Sequence, residues 1–185
     1  MHACGIFVDL QKAFDTVNHK ILLEKLSNYG IRGIANDWFS SYLSNRTQSV
    51  SILGFESKIM SVPHGVPQGS VLGPLLFFIY INDMHNANKY SKVYHFADDT
   101  NLLNIGKSLR TMQKQVNIDQ KLLYKWLLAN KISLNCSKTE LIFFHSPRES
   151  IPNLKIKING LRIHPSCCIK YLGVYLDATL SSNYH

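Results

Sequence analysis

No stretch of this 185-residue sequence approaches the roughly 18 consecutive apolar residues that a membrane-spanning helix needs. The longest apolar run, Val71 to Ile81, is too short to span and reads as a buried helix. The N-terminus, Met1-His2-Ala3-Cys4-Gly5-Ile6, lacks a basic region ahead of an apolar one, so secretion is not expected. The expectation is an intracellular protein, nuclear or cytoplasmic, with no membrane partner. Cysteine is scarce. Cys4, Cys136, Cys167 and Cys168 show no C-x-x-C spacing, and two of them are neighbours, which suits neither a zinc site nor a disulfide framework. Reduced thiols are expected. Acidic residues are also few, 12 against 20 Lys and Arg, and the formal net charge of +8 points to a polyanionic partner, with a bland basic surface as the alternative. The basic residues are dispersed, which excludes a disordered basic tail. Low-complexity segments and internal repeats are missing as well.

What is present fits one ordinary core. Asn18 can cap a helix over 19–29 that carries Leu22, Leu26 and Tyr29 on one face and ends at Gly30. A second helix is expected over 34–44. Alternation in 48–53 and 58–62 predicts a hairpin turning at Gly54 to Ser57. The Gly- and Pro-rich stretch Pro63 to Ser70 reads as a shaped loop, with Ser70 capping the following helix and Pro74 in its first turn. Apolar spacing predicts a long helix over 108–130 and a strand over 140–144, then strand pairs near 154–163 and 168–176. Helices alternating with antiparallel hairpins make an α+β domain with helices packed on one face of the sheet. The core is expected over about 1–146, and the hairpins of about 147–180 form a small appendage beyond Pro147 to Pro152.

The chemistry is suggested by carboxylates in apolar surroundings. Asp9 lies inside the otherwise apolar, strand-like run Ala3 to Leu10, and Asp98-Asp99 sit at the tip of a predicted hairpin after Val93 to Ala97. Burying a carboxylate is costly unless it is paired or binds a metal. Neighbouring strand residues face opposite ways, so one of Asp98 and Asp99 should join Asp9 while the other is peripheral. Hard carboxylates with open positions suit Mg²⁺, and a pair of such ions serves phosphoryl or nucleotidyl transfer. On spacing alone, a solvated Asp-Asp turn is the plainer reading.

Five segments, in order, carry a resemblance. Phe7-Val8-Asp9-Leu10-Gln11-Lys12-Ala13-Phe14-Asp15-Thr16-Val17 resembles the first palm motif of the reverse transcriptases of non-LTR retrotransposons. Gly65-Val66-Pro67-Gln68-Gly69-Ser70-Val71-Leu72-Gly73-Pro74 resembles the second, and Phe96-Ala97-Asp98-Asp99-Thr100 the third. Ser133 to Glu140 is similar to the fourth motif and Tyr171 to Asp177 to the fifth. The Phe-Ala-Asp-Asp form is similar to that of Jockey-like LINE elements.

The resemblance implies a polymerase palm and an RNA-directed DNA polymerase working by two-metal nucleotidyl transfer. The implied cofactors are two Mg²⁺ ions, with Mn²⁺ as a substitute, and the implied partners are an RNA template, a DNA primer and dNTPs. Asp9 and Asp98 would hold both metals, with Asp99 a weaker contributor, and Lys138 would be the general acid for departing pyrophosphate. Phe14 would be the steric gate favouring deoxynucleotides, with Gln68 and Gly69 beside the template and incoming nucleotide. Each has a bland counterpart: a core aromatic, a tight turn, a surface lysine. Asp15 is expected to be structural or a helix-entry charge. Tyr171 to Asp177 would be the primer grip, where Lys155, Lys157 and Lys170 could meet phosphates. Met1 lies only eight residues before Asp9, and the sequence stops just after the fifth motif. Fingers are therefore expected to be partial and a thumb missing, with a catalytically silent palm as the alternative.

Overall fold

The computed structural model describes residues 1–149 and 152–181. The chain begins with β1 (His2–Val8), a 3-10 turn (Ala13–Asp15), α1 (His19–Asn28) and α2 (Ile34–Leu43). Four two-residue strands follow: β2 (Thr47–Gln48), β3 (Ser51–Ile52), β4 (Phe55–Glu56) and β5 (Met60–Ser61). Next come α3 (Leu72–Ile81), a second 3-10 segment (Asn82–Ala87), β6 (Lys92–Phe96), β7 (Asp99–Gly106) and α4 (Leu109–Ala129). The remainder is β8 (Glu140–Phe144), β9 (Ile156–Ile158), β10 (Leu161–Ile163), β11 (Pro165–Ser166), β12 (Cys168–Tyr171) and β13 (Val174–Asp177). These elements form two compact units. The first comprises Met1–Gln11, Asp83–Ala129 and the chain from Ser133 onward; the second comprises Lys12–Asn82 and Asn130–Ile132. Residues 150 and 151 of the expected boundary lie outside the described residues, and the hairpins after it belong to the first unit. Among the described residues, no helix is long and apolar enough to cross a membrane.

The first unit is built on a five-stranded sheet ordered β11-β8-β1-β7-β6. Strand β1 lies at its centre, antiparallel to β7 and β8, and buries Cys4, Gly5, Ile6 and Val8. A strand covered on both faces needs a nearly continuous apolar run, which is how the sequence reads. Helix α4 presents Met112, Val116, Leu123 and Leu127 as one buried stripe at helical spacing and packs against β7 and β1. Gly106 permits the approach, because a Cβ there would meet Met112 at 2.7 Å. Ile169, Leu176 and Ala178, in and just after the β12–β13 hairpin, pack with Phe7, Ile142 and Phe144. The short strand β11, which the sequence did not suggest, joins β8 in parallel. All four cysteines are unpaired, and burial pushes the Cys4 thiol up to about 12.

One buried carboxylate organises the entry to β6. Asp119, fully buried on α4, accepts hydrogen bonds from the backbone N–H groups of Lys89 (2.9 Å), Tyr90 (3.2 Å) and Ser91 (2.6 Å). Backbone donors in a loop have no ladder partner, and the carboxylate supplies one for three of them in succession.

In the second unit, the Asn18 side chain accepts from Ile21 N, so α1 is capped as its sequence predicts. Helix α3 is apolar nearly all round and buries Leu76, Phe77, Tyr80 and Ile81. The Tyr80 hydroxyl donates to the Asn130 carbonyl (2.5 Å) and accepts from Asn18 N (3.3 Å). Ser70 Oγ accepts from Gly73 N at 2.9 Å, the bond an N-cap makes to the third helical residue, although the regular helix starts at Leu72. The expected hairpin of two long strands is instead nested: β3 pairs with β4 inside β2 with β5. Two interactions cause this. Leu53 and Gly54 both take positive φ (50° and 84°), giving a two-residue turn earlier than expected, and Ser57 Oγ accepts from Val50 N in place of a ladder bond.

Asp119→Ala should lower the unfolding free energy by about 3 kcal/mol, because three backbone donors lose a buried acceptor together. Urea denaturation followed by circular dichroism measures this. A loss below about 1 kcal/mol would show that the carboxylate does not carry this loop.

Candidate active site

Asp9 is the first residue after β1, and the ladder fixes what it faces. Val8 pairs with Thr100, so the next step of the antiparallel register sets Asp9 across from Asp99. The β6–β7 hairpin closes through two residues, Ala97 and Asp98, with Phe96 paired to Asp99. Ala97 takes a positive φ of 53° and Asp98 does not, which is the pattern of a type II′ turn. Asp98 therefore stands on the turn while Asp99 opens β7. Sequence reasoning assigned the larger part to Asp98 and the lesser to Asp99; the register brings Asp99 opposite Asp9 and keeps Asp98 adjacent. The Asp99 carboxyl is pushed above the usual carboxylate range, first by partial burial and then by the negative charges of Asp98 and Asp9. Asp99 thus feels the charges of both neighbours.

A small open cleft of about 130 Å³ is lined by Asp9 and Asp99 together with Phe7, Lys138, Lys170 and Tyr171. Its walls are held by long-range hydrogen bonds. The Asp9 carbonyl accepts from Asn135 N (2.9 Å), Gln11 N donates to the Ser133 carbonyl (2.9 Å), and Leu10 bridges to Leu134. Thr139 Oγ1 donates to the Asn135 carbonyl and accepts a longer bond from Asp9 N (3.4 Å). The segment Ser133 to Glu140 is therefore a brace for the backbone at Asp9, and it delivers Lys138 to the cleft. On the other side, Tyr171 packs its ring edgewise on Phe7 (5.1 Å between centroids), and its hydroxyl accepts from Asn101 Nδ2 (2.7 Å). The β12–β13 hairpin that carries Tyr171 turns at Leu172-Gly173, both at positive φ, where the sequence expected a turn around Gly173. Asp177 at its end is held well below the usual carboxylate range by hydrogen bonds from the Thr179 and Ser181 side chains and backbone. Lys155 and Lys157 do not line this cleft. Thr139 and Asn101 escaped sequence reasoning, because a bracing hydroxyl or amide has no periodic signature.

Phe14, Gln68 and Gly69 belong to the second unit. Phe14, on the 3-10 turn, packs against Phe77 with ring centroids 4.5 Å apart. The loop at 63–70 is laid along that turn: Gly65 N donates to the Val17 carbonyl and Val66 N to the Phe14 carbonyl, each at 2.8 Å. Gly65 has φ +89°, and a Cβ there would sit 2.9 Å from the Asp15 backbone. The Gln68 amide donates to the Asp15 carboxylate (2.7 Å). Gly69, at φ +77°, faces open space, with nothing within 4 Å of where a Cβ would stand. A larger cleft of about 720 Å³ runs beside this loop, with Lys12, Arg46 and His64 on its walls.

Comparison with known proteins gives a family and a fold. A family profile described as "Reverse transcriptase (RNA-dependent DNA polymerase)" matches residues 1–176. The chain is 31% identical over 194 residues to "RNA-directed DNA polymerase from mobile element jockey" of Drosophila melanogaster, covering 100% of the chain and 20% of that relative. It is 30% identical over 188 residues to "Probable RNA-directed DNA polymerase from transposon X-element" of the same species, covering 98% of the chain and 20% of the relative. The chain thus spans about a fifth of the length of the curated relatives it matches. Among solved structures, telomerase from Candida albicans in complex with a fragment of telomeric RNA superposes with a TM-score of 0.62 at 12% identity, covering 96% of this chain and 29% of that one. Similarity at that identity shows the fold, a partial polymerase palm.

Gly65→Ala should destabilise the protein by roughly 2 kcal/mol or more, since a Cβ adds backbone strain at positive φ to overlap with a neighbouring main chain. Thermal denaturation tests it. A melting temperature unchanged from that of the parent would show that the loop is not held this closely.

Proposed function

The chain belongs to the reverse transcriptase (RNA-dependent DNA polymerase) family, and from that premise we propose that it forms the metal-binding core of an RNA-directed DNA polymerase of the Jockey-like, non-LTR retrotransposon type. The observation that carries this reading is the meeting of Asp9 and Asp99 across the β1–β7 ladder, with Asp98 adjacent and Lys138 and Lys170 on the rim. The substrates are an RNA template, a DNA primer with a free 3′-hydroxyl, and dNTPs, and the site of action is inside the cell, in nucleus or cytoplasm. In each cycle the primer 3′-oxygen forms a bond to the α-phosphorus of the dNTP. The bond between that phosphorus and the bridging oxygen breaks, and pyrophosphate leaves.

The donor set fits a hard divalent cation. Asp9, Asp98 and Asp99 offer only oxygen ligands, and their mutual repulsion, visible in the raised Asp99, favours a compensating positive charge. Among the described residues no cluster of three ligating side chains is closed around a point. Mg²⁺ would keep several waters and lean on substrate phosphates, and Mn²⁺ accepts the same donors. Two such ions would supply stabilisation of the attacking and leaving oxygens. The protein's own contribution is to hold the carboxylates in place through the β1–β7 ladder and the Ser133–Glu140 brace.

Lys138, delivered by that brace, is the proton donor to the departing pyrophosphate. Phe14 acts as the steric gate: its contact with Phe77 keeps the ring from yielding to a 2′-hydroxyl. Gln68, oriented by Asp15, and Gly69, whose backbone faces open space, lie along the template and incoming nucleotide. The hairpin at Tyr171 to Asp177 supports the primer end, with Lys170 toward its phosphates.

Two measurements test the reading. Titration of Mn²⁺ into the chain, read by calorimetry, should show binding that Asp9→Asn abolishes. In a longer protein that carries this segment, Asp9→Asn and Asp98→Asn should each lower primer extension on RNA by more than about 100-fold, beyond what loss of an outer-shell group costs. Near-parental extension by either variant would sink the proposal. Phe14→Val should admit ribonucleotides, and continued exclusion would remove the gate assignment.

A further inference from the structure

The first unit contains a second cleft, of about 610 Å³, that shares no lining residue with the carboxylate cleft. It lies between α4 and the β9–β10 hairpin. Its construction begins with two amides on the helix. Asn117 Nδ2 donates to the Lys155 carbonyl (2.9 Å) and its Oδ1 accepts from Lys157 N (3.0 Å), while Gln113 Oε1 accepts from Lys155 N (3.0 Å). These bonds satisfy the free edge of β9 and fasten it beside the helix. Alternation along β9 buries Leu154, Ile156 and Ile158 and leaves Lys155 and Lys157 exposed. Lys121 and Lys125, one helical turn apart, are exposed on α4. All four lysines line the cleft, and no carboxylate does.

Two further features separate this cleft from an ordinary basic surface. Tyr124, half-buried between the α4 lysines, contributes an aromatic face to the wall. Gln120 also lines the cleft, is 1% exposed, and neither its amide nitrogen nor its amide oxygen has a hydrogen-bond partner among the described residues. A buried amide without a partner is disfavoured in a folded protein, and its presence calls for a ligand or a solvent molecule that completes it. Cations for phosphates, a ring for stacking and a donor–acceptor pair for a base edge are the three parts of a site for single-stranded nucleic acid.

We infer that the α4/β9–β10 groove is a second binding site for a single nucleic-acid strand, with phosphates on the four lysines and one base between Tyr124 and the Gln120 amide. An acidic peptide would satisfy the lysines and leave the ring and the amide unused, which is why a nucleic acid is the better occupant.

The test is fluorescence anisotropy with the 185-residue chain and labelled single-stranded RNA or DNA of about a dozen nucleotides. Lys155→Glu/Lys157→Glu should weaken binding and reduce the salt slope by about 0.7 per lysine lost. Tyr124→Ala should weaken binding about fivefold or more, while Tyr124→Phe, which keeps the ring, should not. Gln120→Leu removes the partnerless amide, so affinity should fall several-fold while the melting temperature holds or rises. Unchanged affinity in the lysine pair, or in Gln120→Leu, would overturn the assignment. So would competition by inorganic polyphosphate, or by poly-glutamate, as strong as that by unlabelled oligonucleotide of equal charge. Lys20→Glu/Lys58→Glu, at exposed lysines that line none of the clefts described, carries the same charge change and should weaken binding far less than the groove pair; the reverse transcriptase reading can fail at Asp9 without altering the groove titration.

Discussion

The pairing of β1 with β7 is the constraint from which the site follows. Seven residues of β1 are in register with β7, from His2 against Gly106 to Val8 against Thr100. A slip of one residue would exchange the two faces of β1, turning Phe7 and Asp9 to the side where Cys4, Ile6 and Val8 now lie buried and leaving those apolar side chains on the other. The apolar stripe of β1 therefore fixes the position of the charge beyond it. The same register places Asp99 across from Asp9 without any contact between the carboxylates having to be favourable. Apolar burial holds together charges that repel one another, the condition in which a cation has most to contribute.

Around that pairing, the supporting bonds come from far along the chain. The brace at Ser133 to Glu140 fixes the main chain at Asp9, and the Tyr171 ring and hydroxyl secure the opposite wall through Phe7 and Asn101. The second unit follows the same logic with glycine. Gly65 lets a loop backbone lie against another backbone, and the loop then presents Gln68 already bonded to Asp15. In both units the residues that would meet a substrate are positioned by residues that would not.

Much of this was legible in the sequence where a local rule governs. Helices α1, α2 and α4 fall within a residue or two of their expected limits, because apolar spacing, the Asn18 cap and Gly30 act over short distances. The strand at 140–144 and the turns at Asn159-Gly160 and Leu172-Gly173 were equally local. What escaped depended on partners remote in sequence. Strand β11 pairs with the edge that β8 offers, and the nested hairpin combines the Leu53-Gly54 turn with a serine hydroxyl in place of a ladder bond. The three aspartates and Lys138 were expected from motifs, and the structure brings Asp9, Asp99 and Lys138 to one cleft with Asp98 on the adjoining turn. Which of Asp98 and Asp99 stands across from Asp9 was set by a turn geometry with alanine, not glycine, at positive φ. Gln120 and Asn101 had no sequence signal, and Thr139 lay in a motif without its bracing role being legible.

The position of Asp119 beside Gln120 on α4 has a mechanical consequence. The helix is a single rod of 21 residues, about 30 Å long at 1.5 Å per residue. Through Asp119 it grips three consecutive peptide groups just ahead of β6, and the next residue opens into the lysine-lined groove. Strand β6 is the outgoing arm of the hairpin whose tip is Ala97-Asp98. The carboxylate that holds the root of that arm and the amide that lines the groove are therefore neighbours on one helix, with no flexible linker between them.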